Sequence, residues 1–395
     1  MPTIAIDRLD QGSALLLKHA LRQLPAGEGL EVRGDDDTLR VHLALWCRAQ
    51  GHGWEAASDR DSGVLGWITP GTSQRLRWKN AQLTGSPDAS GVADHAQATW
   101  GLAARGAQVE DATPAFHFPL SDKAALWAEE APRLYTQAVN AQWNPDTTID
   151  WAQAFDLPED VEDAVVQVMT YMIENENAAL LVPAKFLAQM HPHFREVMQL
   201  LAIQVADEAR HIEVFTRRIA LRGRVPGLSS AGGQASLKTL LDTPDFAIAI
   251  FLLSVLGEGT FVNLLNFLNS HAPDPVTRQI ARLAAQDEAR HVAFGMAHLQ
   301  YQLAREPGLR DRLANAIEQR FDTLATTDGL NEEVLDALLL LAAGSWAPDA
   351  IRAGQEKLET LKQDMAAGRR LRLLKLGFSD AQATHLSELH TRNFM

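Results

Sequence analysis

"AIQVADEARHIEVF" (residues 202–215) and "LAAQDEARHVAFGM" (283–296) carry the same pentapeptide, Asp-Glu-Ala-Arg-His, inside two apolar segments. In each copy a glutamate precedes a histidine by three positions, Glu208 to His211 and Glu288 to His291. On an α-helix that spacing sets both side chains on one face, about one turn apart, where a carboxylate and an imidazole can share one metal ion. No other Glu-x-x-His occurs in the chain. A surface ion pair would be flanked by polar residues. Here Ile203, Val205, Ile212 and Val214 surround the first copy, and Leu283, Val292 and Phe294 the second, leaving little solvated face.

A carboxylate-rich site in a helical bundle needs one Glu from each of two helices, plus a Glu-x-x-His from each of the other two. Upstream of the second copy, "FLLSVLGEGTFVNLLNFL" (251–268) has Glu258 as its lone acid, on the stripe Phe251, Val255, Glu258, Val262, Leu265. Upstream of the first, "VMTYMIENENAALLVPAKFL" (168–187) offers Glu174 and Glu176. The stripe Met169, Ile173, Glu176, Leu180, Pro183 has the same steps as the Glu258 stripe. Glu176 precedes Glu208 by 32 residues and Glu258 precedes Glu288 by 30. Glu176 is therefore the predicted first ligand, with Glu174 as the alternative. Burying four carboxylates is prohibitive unless cations neutralise them, and two divalent ions balance the charge. Six N/O donors without sulfur suit iron or manganese.

Composition narrows the classes. The chain has 395 residues, 46% hydrophobic and 22% charged, which predicts a globular protein of two domains. A net charge of −14 argues against nucleic acid or an anionic membrane as main partner. Cys47 is the one cysteine, so internal disulfides, thiolate zinc sites and cysteine-held iron–sulfur clusters are excluded. "MPTIAIDRLDQGS" lacks the basic and apolar regions of a secretory signal, and the apolar stretch 246–259 reads as too short for a membrane span. The expectation is a cytoplasmic protein.

Residues 1–71 alternate short strands and helices, predicting a small two-layer α/β domain. Leu16, Leu17, Ala20, Leu21 and Leu24 form one helical stripe, "TLRVHLALWCRAQGH" (38–52) a second helix ended by Gly51, and 63–70 a closing strand. Residues 72–118, rich in Gly, Ala, Ser, Pro and Asp, read as a linker with one strand or hairpin. Residues 119–395 read as almost purely helical, starting from an N-cap at Ser121. Periodic segments run at about 159–190, 193–222, 242–270, 274–304, 308–324 and 331–365. The fold class is mainly α: a four-helix-bundle core with extra helices, preceded by the α/β domain.

Two resemblances sharpen this. The element order of residues 3–70, with "LRQLPAGEGLEV" and "ALWCRAQGHGWE", resembles the TusA-type sulfur carriers. Their Cys-Pro-x-Pro motif is replaced by "DQGS" (10–13), which implies a docking or regulatory module without carrier chemistry, Cys47 being core. The six candidate ligands and the form "DEARH" resemble the ferritin-like di-iron carboxylate superfamily, in particular acyl-carrier desaturases and arylamine N-oxygenases. That resemblance implies Asp207 and Asp287 as acceptors for the ring N–H of a ligand histidine, Arg210 and Arg290 as partners of nearby carboxylates, and two Fe ions (or Mn/Fe, or Mn2) as cofactor. Phe215 stands where ribonucleotide reductase subunits carry a radical tyrosine, and Ala284 where the N-oxygenases carry an extra histidine. The expected function is an O2-dependent di-iron oxygenase or oxidase of monooxygenase type, acting by hydroxylation or N-oxygenation on a small organic substrate. Its electrons would come from a separate ferredoxin or flavin reductase. Alternatives are a dimanganese catalase-type enzyme and a non-catalytic iron-binding or storage protein. Small residues beside the ligands (Gly257, Gly259, Ala178, Ala179, Ala209, Ala289, Gly295) would leave room for substrate. Tyr171 reads as core, His298 as a core or surface histidine, His191 and His193 as solvated turn residues, and the C-terminal tail as a bundle cap or homodimer contact.

Overall fold

The computed structural model describes residues 1–25, 27–59, 63–71, 78, 80–325 and 332–390. They form two compact units, Met1–Gly85 with Thr99–Ala115, and Ser86–Ala98 with Phe116–Met395.

The first unit is a four-stranded sheet with two helices: β1 (Thr3–Ala5), α1 (Gln11–Gln23), β2 (Leu30–Arg33), α2 (Leu39–Gln50), β3 (Gly53–Ala56) and β4 (Val64–Thr69). Its strand order is β1-β2-β4-β3; β1 runs parallel to β2, and β4 antiparallel to both its neighbours. Asp10 and Ser13 cap α1 reciprocally, and Gly51, at φ 73, ends α2 in the left-handed conformation that a glycine adopts without strain. Leu17, Leu21, Leu24, Leu39, Leu43 and Cys47 pack onto Leu30, Val32, Leu65 and Ile68. The α1 stripe is thus Leu17, Leu21 and Leu24; Leu16, expected in it, is exposed together with Leu15, Val41 and Leu45. β3 was not among the expected strands, being a short edge strand without an apolar alternation. Within 72–118, β5 (Gln82–Leu83) pairs antiparallel with β6 (Gln108–Val109). Residues 86–98 group with the second unit and 99–115 with the first.

The second unit is helical. Its first helices are short: α3 (Lys123–Leu126), α4 (Ala131–Asn140) and α5 (Pro145–Thr148). The expected single helix from Ser121 is two pieces, with Asp122 at the first N-cap and Pro132 in the first turn of the second, where its missing N–H costs nothing. Then come α6 (Glu159–Leu187), α7 (Arg195–Leu221), α8 (Ala231–Asp242), α9 (Phe246–Ile250), a π-helical segment at Phe251–Glu258, α10 (Gly259–His271) and α11 (Pro275–Leu303). α6 packs on α7, and the π segment and α10 pack on α11, giving two hairpins joined by contact of α7 with α11. α8 interrupts the expected 242–270 helix at its start, because Pro244 separates it from the Asp245 cap of α9.

Phe246–His271 make one continuous 26-residue helix, long and apolar enough to cross a membrane, so the short reading of 246–259 is corrected. In the fold, 83% of its most apolar window is buried inside the protein, as for a core helix. α12 (Leu309–Leu324), α13 (Glu332–Ala343), α14 (Pro348–Lys375) and α15 (Asp380–His390) complete the unit. The expected helix 331–365 is broken between α13 and α14 with a 118° bend. Gly344 there has φ 72 and Pro348 opens the next helix, a stop and a start in one short turn.

Candidate metal centre

Glu176 sits in the middle of α6, Glu208 and His211 on α7, Glu258 at the end of the π segment, and Glu288 and His291 on α11. All six are at most 3% exposed. They form two overlapping groups, Glu176–Glu208–His211–Glu288 and Glu208–Glu258–Glu288–His291, each offering ligand atoms within 4.8 Å of one another. Glu208 and Glu288 belong to both. Glu174, on the next face of α6, is in neither.

Both imidazoles turn Nδ1 inward. His211 Nδ1 lies 3.1 Å from Glu208 Oε2, 3.4 Å from Glu288 Oε1 and 3.6 Å from Glu176 Oε1. His291 Nδ1 lies 3.0 Å from Glu208 Oε1 and 3.4 Å from Glu288 Oε2. The Nε2 atoms face outward and are crossed between the motifs: His211 Nε2 is 3.2 Å from Asp287 Oδ2, and His291 Nε2 is 3.4 Å from Asp207 Oδ2. Each aspartate therefore holds the histidine of the other pentapeptide. With the N–H at Nε2 donated to an aspartate, each ring would have its Nδ1 lone pair for a metal ion.

The aspartates are themselves secured. Arg210 donates to Asp207 Oδ1 and, at 2.8 Å, to Asp287 Oδ2; Arg290 donates to Asp287 Oδ1. Gln142 Nε2 donates to Asp207 Oδ1 and Trp143 Nε1 to Asp287 Oδ2, each at 2.8 Å. Arg210 also lies over the Trp143 ring, 4.6 Å from its centroid. On the inner side Gln204 Nε2 donates to Glu258 Oε1 at 2.9 Å. Gln204 is four residues before Glu208 and so shares its helix face, a signal available from spacing. Gln142 and Trp143 lie between α4 and α5 and carry no periodic signature.

The donor set asks for cations. Among the described residues, Glu176 Oε1, Glu258 Oε2 and both Glu288 oxygens are buried without a hydrogen-bond partner, and Glu208 Oε1 has the His291 imidazole 3.0 Å away. Unsatisfied buried acceptors are costly, and here they crowd one small volume. Burial, with Glu208 and Glu288 alongside, pushes the Glu176 carboxyl well above the ordinary carboxylate value. Burial likewise raises Glu258, with Glu288 and Glu208 adding to it against the pull of His291. Glu208 is opposed by burial too, but the two imidazoles outweigh it and draw it below the ordinary value. Burial disfavours charge on His211 and His291, yet the surrounding carboxylates hold both imidazoles well above their usual value. Competition for too little positive charge is what two divalent ions relieve, and all six donors are nitrogen or oxygen.

The remaining candidates fall elsewhere. His298 is buried beside Phe246 and Phe294, its Nδ1 3.1 Å from the Trp127 carbonyl. His191 and His193, expected to be solvated, are buried: His193 Nε2 accepts from the Ala93 amide at 2.8 Å, and His191 Nδ1 from the His193 amide at 3.1 Å. Tyr171 is buried against Phe261. At four of the small residues the expected role is corrected. A Cβ on Gly295 would come within 2.8 Å of Ser254 Cβ, and one on Gly259 within 2.4 Å of Arg372 Cζ, so both glycines are filled by neighbours. Ala209 and Ala289 are exposed.

No family model and no curated protein matches the chain. Among solved structures it is similar to R2-like ligand-binding oxidases. One point mutant with an aerobically reconstituted Mn/Fe cofactor is 18% identical at a TM-score of 0.50, over 64% of this chain and 95% of that one. A second such mutant is 17% identical at a TM-score of 0.49, with the same shares covered. A protein with aldehyde deformylating oxidase activity from Synechococcus is 20% identical at a TM-score of 0.42, over 60% of this chain and 98% of that one. At 18% identity and a TM-score of 0.50 the first of these shows a likeness of fold alone.

Proposed function

We propose that the helical unit is a di-metal oxidase, with Glu176, Glu208, His211, Glu258, Glu288 and His291 holding two iron ions or a manganese–iron pair. The observation that carries this is the membership of Glu208 and Glu288 in both four-residue groups, so that these two residues would serve either of two cations. When bound, such a pair supplies the reduction of O2 that drives hydroxylation or N-oxygenation of a small organic substrate. The chain's own residues do the rest. Asp207 and Asp287 hold the imidazole Nε2 protons, and His291 and His211 in turn favour the ionised form of those aspartates, helped at Asp287 by Arg210 and Arg290, while burial excludes water. The chain carries no Gly-rich dinucleotide fingerprint after a strand, so a separate ferredoxin or flavin reductase supplies electrons. Residues 1–71 serve as a TusA-like docking module in the cytoplasm. Supporting this, burial pushes the Cys47 thiol up to about 12, which suits core packing and not sulfur transfer.

Metal analysis is the first test, followed by O2 consumption with a chemical reductant. Two ions per chain are expected. Glu288→Ala should lose both, whereas Glu176→Ala should lose the one that Glu258 and His291 do not hold. A single ion in the native chain, or equal losses in the two variants, would refute the shared-carboxylate site. Peroxide dismutation without reductant would assign the dimanganese catalase type instead.

A further inference from the structure

Gln204 touches the carboxylate cluster from outside both pentapeptides. It lies on α7, one turn before Glu208, and is 1% exposed. Its Nε2 donates to Glu258 Oε1 at 2.9 Å, reaching from the first hairpin to the lone glutamate of the second. The other end of the amide has no such use. Among the described residues, Gln204 Oε1 is buried without a hydrogen-bond partner. A leucine or methionine would fill this place without stranding a carbonyl. The fold thus leaves half of a buried amide unsatisfied and keeps its donor on Glu258.

That contact distinguishes the two oxygens of one carboxylate. Oε1 carries the amide, whereas Glu258 Oε2 is buried with no hydrogen-bond partner among the described residues. Burial acts most strongly on this carboxyl, followed by the charges of His291, Glu288 and Glu208; the Ser254 hydroxyl, one turn earlier, acts less than any of these. An ionised carboxylate only accepts, so the amide must present Nε2 to it, and Oε2 is what remains for a cation. The first hairpin's glutamate is held differently. Ala284 stands in the second motif where Gln204 stands in the first, and has no donor to offer. Among the described residues no side-chain amide reaches Glu176, whose neighbour is His211 Nδ1 at 3.6 Å.

We propose that Gln204 is a positioning residue: it pins Glu258 Oε1, so that Glu258 gives the ion beside His291 one oxygen instead of two. A carboxylate otherwise binds a cation through either one oxygen or both. Restricting it to one leaves a place on that ion for a reactant. The reactant's part in this rests on the oxidase reading; the hold on Glu258 does not.

The test reads an open place on the metal, not turnover. Iron is loaded into the full chain and counted. Azide, a small anion that takes an open place on ferric iron, is then titrated and followed by its charge-transfer absorption. The native chain should hold two irons and bind azide. Gln204→Met removes the donor at nearly constant volume. It should still hold two irons but bind azide at least about tenfold more weakly, because the freed oxygen competes for the same place. Gln204→Asn, whose amide is one methylene short, should fall between, and it decides the matter if Gln204→Met does not fold. A merely structural glutamine would lose iron and leave the azide affinity of the remaining loaded chain unchanged. Absence of azide binding in the native chain, undiminished affinity in the variant, or loss of iron in its place would each overturn the proposal. Oxygen consumption measured in parallel keeps the two readings apart. A chain that shows the azide difference but consumes no O2 with a reductant would refute only the oxidase. One that consumes O2 while its azide affinity ignores Gln204 would refute only this role, and one that takes up no iron would refute both.

Discussion

The two hairpins that carry the pentapeptides supply matching candidate ligands and different support. Four residues before the motif glutamate stand Gln204 in one and Ala284 in the other; four after the histidine, Phe215 and Gly295; seven after, Arg218 and His298. The lone glutamate lies on a regular α-helix in the first hairpin and closes a π-helical segment in the second. The inner positions are thus repeated because six donors must converge, while the shell around them is free to diverge. It diverges in kind: the first hairpin is locked by ions, the second by close packing.

Arg218 is the largest of these differences. Fully buried, it forks onto Glu162 at 2.6 and 3.0 Å and reaches Asp274 Oδ2 and Thr277 Oγ1, each at 2.9 Å. It therefore ties α6, α7 and the start of α11 together. Arg218→Ala strands two buried carboxylates, and we expect a loss of about 3–5 kcal/mol in urea unfolding. A loss under about 1 kcal/mol would mean that the clamp is not what locks this hairpin.

His298 holds the same place in the other hairpin as a neutral ring. Burial lowers it to about 4 from an ordinary 6.5, against the smaller lift of its bond to the Trp127 carbonyl. Between those values the unfolded chain binds a proton that the folded chain refuses, so stability rises with pH across the window and falls on acidification. Full burial makes this linkage worth roughly 3 kcal/mol at most. The pH dependence of unfolding from pH 6.5 to 4 should be shallower in His298→Gln, and an unchanged slope would contradict the assignment.

How much of this was legible follows from its range along the chain. The spacing of Glu208 with His211, and the matching stripes through Glu176 and Glu258, are local periodicities and stand open in the sequence. Which aspartate serves which histidine is settled by helix packing across more than 70 residues, and the pattern of either motif alone suggests the opposite pairing. Trp143 reaches Asp287 from a loop 144 residues away, a contact that no periodicity records. The break at Gly344 and Pro348 was written in residue types but outweighed by the apolar run before it. The π segment had no signal, because "FLLSVLGE" has the composition of any buried helix.

That segment yields the smallest effect and the sharpest use of the comparison. A π turn is wider than an α turn and needs space beside it. Gly295 provides it: an added Cβ would meet Ser254 Cβ at 2.8 Å, Val255 Cγ2 at 3.2 Å and Ile250 Cγ2 at 3.5 Å. Phe215, its counterpart, packs beside a regular helix and needs no such relief. Gly295→Ala must therefore displace the backbone that ends at Glu258, at a cost of about 1–3 kcal/mol. Glu176 and His211 belong to the other hairpin and stay in place. Metal analysis of the variant should show one ion retained where the native chain holds two. Loss of both ions, or of neither, would mean that the π turn does not set the position of Glu258 independently of the first hairpin.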